Sequence, residues 1–143
     1  MTLSPIRLFI SRAHWEQMEG DVRARLPEEA CGLIIGESNR SRFIIPITNI
    51  FHSSSRFRME PKEQLDAFLL AEDHGMEILA VYHSHPTGMT KPSAADFMEL
   101  TFPGIIYVIW SIEASQWNCR GYLMKSQVDA LEVPVVITQE KKL

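Results

Sequence analysis

The sequence predicts one α/β (α+β) domain: a mixed or mostly antiparallel sheet flanked by two or three helices. Three observations carry this. A chain of 143 residues with 45% hydrophobic content suits a single core. Short apolar runs are interspersed with two segments whose apolar residues recur at helical spacing. Several of the apolar runs meet across short turns, which joins them as antiparallel neighbours rather than through crossover helices.

The elements follow in order. Ile6 to Ile10 reads as a first strand. Ser11 is a helix cap, and Trp15, Met18, Val22 and Leu26 give the helix over Arg12 to Arg25 one apolar stripe, ended by Pro27. Ala30 to Gly36 is a compact buried strand, Glu37-Ser38-Asn39 a turn, and Arg42 to Thr48 the returning strand. Asn49 to Met59 is polar and serine-rich, hence a loop. Pro61 suits a first helical position and Gly75 the residue past a helix end, with Leu65, Phe68 and Leu69 expected to form the apolar face between them. Ile78 to Tyr82 is a continuous apolar run and a central strand. A loop over Thr87 to Pro92 leads to a short helix from Ser93 to about Thr101. Gly104 to Ile112 and Gln116 to Met124 read as two strands around a turn, and Val133 to Ile137 as a last edge strand. One domain is expected over 1–143, with its core at about 6–125 and a C-terminal tail from about 126.

A net charge of −4 and no basic stripe argue against a nucleic-acid partner. No run is long and apolar enough for a membrane partner, and Met1 to Ile10 lacks the pattern of a signal peptide. Cys31 and Cys119 belong to no CxxC, so neither a cysteine-rich metal site nor a disulfide is expected. These features point to a soluble, cytoplasmic protein. A homodimer is left open.

Chemistry concentrates at His83-Ser84-His85-Pro86, followed by Ser93 and Asp96. On a strand, His83 and His85 project to one face and Ser84 to the other. Two imidazoles and one carboxylate leave the fourth position of a tetrahedral zinc open, as a catalytic zinc requires. His14, His52 and His74 lack such context; His74 suits a helix C-terminus, where the dipole favours positive charge. Ser93 and Asp96 also fit a capping box. Hydrolysis by metal-activated water needs a base, and with no HExxH the pair Glu28-Glu29, at the mouth of the second strand, is the best placed source.

The run His83-Ser84-His85-Pro86, Ser93, Asp96 resembles the signature of the JAMM metalloproteases, the MPN+ branch of the MPN domain family, at every position. Glu29-Ala30-Cys31-Gly32 resembles the Glu-x-Cys-Gly at that family's catalytic glutamate, and this register selects Glu29 over Glu28. The likeness extends over Ile6 to about Leu123 and is greatest to short prokaryotic members, whose Arg-Met-Glu-Pro step is similar to Arg58 to Pro61.

The resemblance implies a cytidine-deaminase-like fold with a twisted mixed sheet. It implies one Zn²⁺ per chain held by His83, His85 and Asp96. It implies Glu29 as general base and then acid, and Ser93 as a donor to the oxyanion. The implied activity is a zinc-dependent metallopeptidase that hydrolyses a peptide or isopeptide bond at the C-terminal tail of a ubiquitin-like or sulfur-carrier protein. An extended tail could add as a strand beside an exposed edge, with Asn49 to Arg58 as one wall of its groove. Two rivals are weaker. A nucleobase deaminase needs H-x-E and P-C-x-x-C, which this chain lacks. A non-catalytic MPN scaffold usually lacks a ligand or the glutamate, and all are present here.

Overall fold

The computed structural model describes residues 6–98, 104–124 and 129–139. Among them the strands form an eight-stranded mixed sheet in the order β7-β6-β5-β4-β2-β3-β1-β8. The strands are β1 (Leu8–Ser11), β2 (Cys31–Glu37), β3 (Arg40–Ile47), β4 (Glu77–Ser84), β5 (Ile106–Glu113), β6 (Gln116–Met124), β7 (Ala130–Val133) and β8 (Val135–Thr138). The helices are α1 (Arg12–Arg25), α2 (Pro61–Asp73) and α3 (Ala94–Met98). The β2–β3 and β5–β6 hairpins are antiparallel, β4 pairs with β5 in parallel, and β2 pairs with β4 antiparallel at the centre of the sheet.

Side-chain alternation divides the core between the two faces. Ala30, Ile34, Ala80, Tyr82, Val108 and Trp110 join Met18 and Val22 of α1 on one side. Cys31, Leu33, Ile35, Val81 and Tyr107 join Ala67 and Ala71 of α2 on the other. The α1 stripe is as expected, except that Leu26 caps the helix and is exposed. Gly32 is required where β2 passes β4: a Cβ there would run into the Tyr82 ring and sit 2.6 Å from the Ile45 carbonyl.

Two expectations are corrected. Leu65 and Leu69, assigned to the buried face of α2, are 54% and 53% exposed. The helix docks instead through Ala67 and Ala71, with Phe68 and Leu70 packed beside them, because small side chains let its backbone approach the sheet closely. The expected single strand over Val133 to Ile137 is split at Pro134, within the segment assigned to a tail. β7 adds to β6 and β8 adds in parallel to β1, so one proline joins the two edges of the sheet, and Leu8 N–H donates to its carbonyl at 3.0 Å. Proline cannot donate to a ladder, which suits a residue at the change of partner. The short helix ends at Met98 among the described residues, and the remainder of the range expected for it lies outside them.

Candidate metal centre

The site lies where the C-terminal end of β4 meets the N-terminal end of β2. In the register Cys31 faces His83, and Ser84 N–H donates to the Ala30 carbonyl at 3.0 Å. Ser84 turns to the α1 side, where its hydroxyl accepts from Ala30 N–H at 2.8 Å. His83 therefore turns to the α2 side, fully buried, with the Phe57 ring stacked on it at 4.5 Å and 26°. His85 stands one residue past β4 but continues its ladder, its N–H donating to the Trp110 carbonyl at 2.8 Å. The expected alternation thus puts both imidazoles on one face.

The chain then turns sharply. Gly88, at φ +90°, donates to the His85 carbonyl at 3.0 Å, and this left-handed conformation suits glycine. Tyr122 of β6 donates its hydroxyl proton to the Thr90 carbonyl at 2.8 Å, which ties this loop to the sheet. The neighbouring Met89 carbonyl accepts from His85 Nδ1 at 2.9 Å. A proton on Nδ1 leaves the Nε2 lone pair of a neutral imidazole free to bind a metal.

α3 brings in Asp96 through a reciprocal cap. Asp96 N–H donates to Ser93 Oγ at 3.1 Å, and Ser93 N–H donates to Asp96 Oδ2 at 2.7 Å. Capping and metal-site readings of this pair coexist, because the same carboxylate faces the histidines. His83 Nε2 lies 3.1 Å from Asp96 Oδ1, His85 Nε2 lies 3.1 Å from Asp96 Oδ2, and the two Nε2 atoms are 3.0 Å apart. A tetrahedral zinc with bonds of about 2.0–2.1 Å separates its ligand atoms by about 3.3 Å. The imidazole pair, with the Asp96 carboxylate presenting one oxygen to each ring, therefore fits a zinc ion in spacing and in donor chemistry.

The charges agree. Burial alone would raise the Asp96 carboxyl, but the adjacent His83, hydrogen bonds from both imidazoles and the Ser93 N–H hold it well below the usual carboxylate range. Burial alone would lower His85, but its bond to Asp96, that carboxylate's charge and the Met89 carbonyl carry it above the usual imidazole value. Both shifts favour a cation against the Asp96 carboxylate, the place a metal ion would take.

The structure separates the two glutamates. Glu28 faces outward, its carboxylate 3.2 Å from His52 at the surface. Glu29 is buried, with a carboxylate oxygen, His83 and His85 all offering ligand atoms within 4.8 Å of one another. Its backbone is held on both sides: the N–H donates to the Ser53 carbonyl at 2.8 Å, and the carbonyl accepts from Asn49 Nδ2 at 3.0 Å.

Sequence reasoning passed over Asn49. It is fully buried and makes four hydrogen bonds, donating to the carbonyls of Glu29 and Arg56 and accepting from the N–H groups of Phe51 and Arg58. It braces the 49–59 loop against Glu29. Phe57 and the Met89 carbonyl were also missed; an asparagine opening a loop and an aromatic among its serines are too common to signal them. The other histidines have ordinary roles: His14 Nδ1 lies 2.6 Å from Ser41 Oγ, and His74 caps α2. Cys31 and Cys119 are buried and unlinked.

Comparison with known proteins agrees with this geometry. Residues 11–120 match the family model for prokaryotic homologs of the JAB domain. A probable TtuB-protein conjugate cleaving protease of Thermus thermophilus is 31% identical over 91% of this chain and 82% of its own. A CysO-cysteine peptidase of Mycobacterium tuberculosis is 34% identical over 66% of each chain. A solution structure from Desulfitobacterium hafniense superposes with a TM-score of 0.84 at 29% identity, covering 94% of this chain and 95% of that one. With the family model spanning most of the chain and the motif at the meeting of β2, β4 and α3, the protein belongs to the prokaryotic JAB-domain family and is an enzyme, a hydrolase of the peptidase class.

Proposed function

We propose that this chain is a zinc-dependent peptidase that cuts a peptide or isopeptide bond at the C-terminal tail of a ubiquitin-like or sulfur-carrier protein, with His83, His85 and Asp96 as the ligands of one Zn²⁺. The observation that carries this reading is the pair of Nε2 atoms 3.0 Å apart, each 3.1 Å from one oxygen of Asp96, with Glu29 beside them. The names of the Thermus and Mycobacterium relatives supply the substrate class.

When bound, zinc supplies Lewis acidity that makes a coordinated water a nucleophile near neutral pH. The protein's residues do the rest. The buried Glu29 carboxylate accepts the water's proton and returns it to the leaving nitrogen. Ser93 donates its hydroxyl proton to the developing oxyanion, its Oγ still accepting from Asp96 N–H at 3.1 Å. His85, oriented by the Met89 carbonyl, presents Nε2 and does not exchange protons with substrate.

The substrate tail lies along the 49–59 loop. Ile50 N–H donates to the Arg58 carbonyl at 2.9 Å and Glu60 N–H to the Thr48 carbonyl at 3.0 Å. In this bridge the peptide groups of Met59 face away from Asn49, so an extended chain can add alongside them. We place the activity in the cytoplasm, on the two unlinked thiols. Among the described residues no helix is long and apolar enough to cross a membrane.

The test is digestion of carrier proteins with exposed C-terminal tails, followed by mass spectrometry with and without a chelator. Cleavage that stops on chelation and returns with zinc supports the reading. Intact carriers under all conditions, with zinc stoichiometrically bound, would contradict the proposed substrate class.

A further inference from the structure

A cavity of about 590 Å³ opens beside the donor cluster, between the 49–59 loop, the first turn of α2 and α3. Asp96 is among its lining residues, so the cavity adjoins the candidate metal centre. Its apolar walls come from Phe57, Met59, Val81 and Tyr107. The protein carries a net charge of −4, yet among the described residues the charged side chains lining this cavity are Arg56, Arg58 and the Asp96 carboxylate already engaged by two histidines.

The two arginines differ. The Arg56 guanidinium lies over the Phe51 ring, 4.6 Å from its centroid. Arg58 is fixed by its backbone, the N–H bonded to Asn49 Oδ1 at 3.1 Å and the carbonyl to Ile50 N–H at 2.9 Å. Its exposed guanidinium meets no acidic side chain among the described residues.

We infer that this cavity is a subsite for a carboxylate of the substrate, with Arg58 as the specificity-determining residue. Guanidinium matches a carboxylate with two parallel hydrogen bonds, a fit that lysine does not reproduce. Apolar walls strengthen that pairing relative to open water. The inference rests on the peptidase reading and deepens it. The carboxylate has two sources: an Asp or Glu side chain in the tail, or the terminal carboxylate of a single leaving amino acid.

The experiment uses the zinc-loaded protein and fluorescent tail peptides in matched pairs: Glu against Gln at each tail position, and a free C-terminus against a carboxamide. Binding is read by anisotropy and cleavage by mass spectrometry. The expected result is about tenfold tighter binding of the carboxylate member in one pair, equivalent to about 1.4 kcal/mol. The pair that discriminates names the source. Arg58→Ala should abolish the preference, Arg58→Lys should restore part of it, and in cleavage the loss should appear in KM with kcat retained. A preference unchanged in Arg58→Ala, or no preference in any pair for the unaltered protein, overturns the inference. Arg58-dependent binding without cleavage would sustain the subsite while rejecting the peptidase reading.

Discussion

The two halves of the candidate site are held in different ways. On the β2–β4 seam, His83 takes its place from strand register at the centre of the sheet, and Glu29, two residues before β2, is held beside it by the Ser53 carbonyl and the Asn49 amide. On the crossover from His85 to α3, placement depends on single local bonds: Met89 carbonyl to His85, Tyr122 to Thr90, and the reciprocal bonds of Ser93 and Asp96. The seam is rigid because moving one residue would shift a whole ladder. The crossover can be loosened one bond at a time. On the proposed ligand set, metal binding would depend on one rigid donor and two separately adjustable ones, so variants in the two halves should behave differently.

The largest effect should come from removing a ligand in either half. His83→Ala on the seam, and His85→Ala and Asp96→Asn on the crossover, are each expected to lose bound zinc and, with it, cleavage, as read by elemental analysis of the purified variants. Full zinc in any of them would remove that residue from the ligand set. Next is the proposed base beside the seam, Glu29. Glu29→Gln should keep zinc but lower turnover by about 10²–10⁴-fold, whereas Glu28→Gln, at the surface beside His52, should change neither. Undiminished turnover in Glu29→Gln would shift the base role elsewhere.

Smaller effects sharpen the contrast. Asn49→Ala leaves four partners of a buried amide without it, so thermal unfolding should report a loss of about 2–3 kcal/mol, with reduced cleavage through a displaced Glu29. Tyr122→Phe removes one hydrogen bond from the crossover. It should cost stability only about 1 kcal/mol yet weaken zinc in a chelator competition, because it frees the loop that orients His85. Unchanged zinc affinity in that variant would show that the crossover is as rigid as the seam.

The same division explains what was legible in the sequence. The seam could be read because alternation has a period of two: once Ile78 to Tyr82 is a strand, His83 and His85 must share a face. Ser93 and Asp96 were legible as a cap from local chemistry and as a metal motif from family likeness, and one geometry serves both. Glu29 could not be separated from Glu28 by physics alone, since adjacent acids in a turn differ only by which one the strand carries inward. Asn49 was invisible because its value lies in four partners brought together by folding. The α2 face was misjudged for a related reason: Leu65, Phe68 and Leu69 have helical spacing, but the close approach of the helix favours Ala67 and Ala71. The partner change at Pro134 depends on how far the sheet curls, which no local pattern encodes.

The most direct measurement pairs zinc per chain with tail cleavage in one titration: stepwise chelation of the purified protein, then stepwise return of zinc. A site built from His83, His85 and Asp96 predicts about one zinc per chain at full activity, cleavage falling in proportion to zinc removed, and recovery on its return. Cleavage that persists after the last zinc is stripped would contradict it.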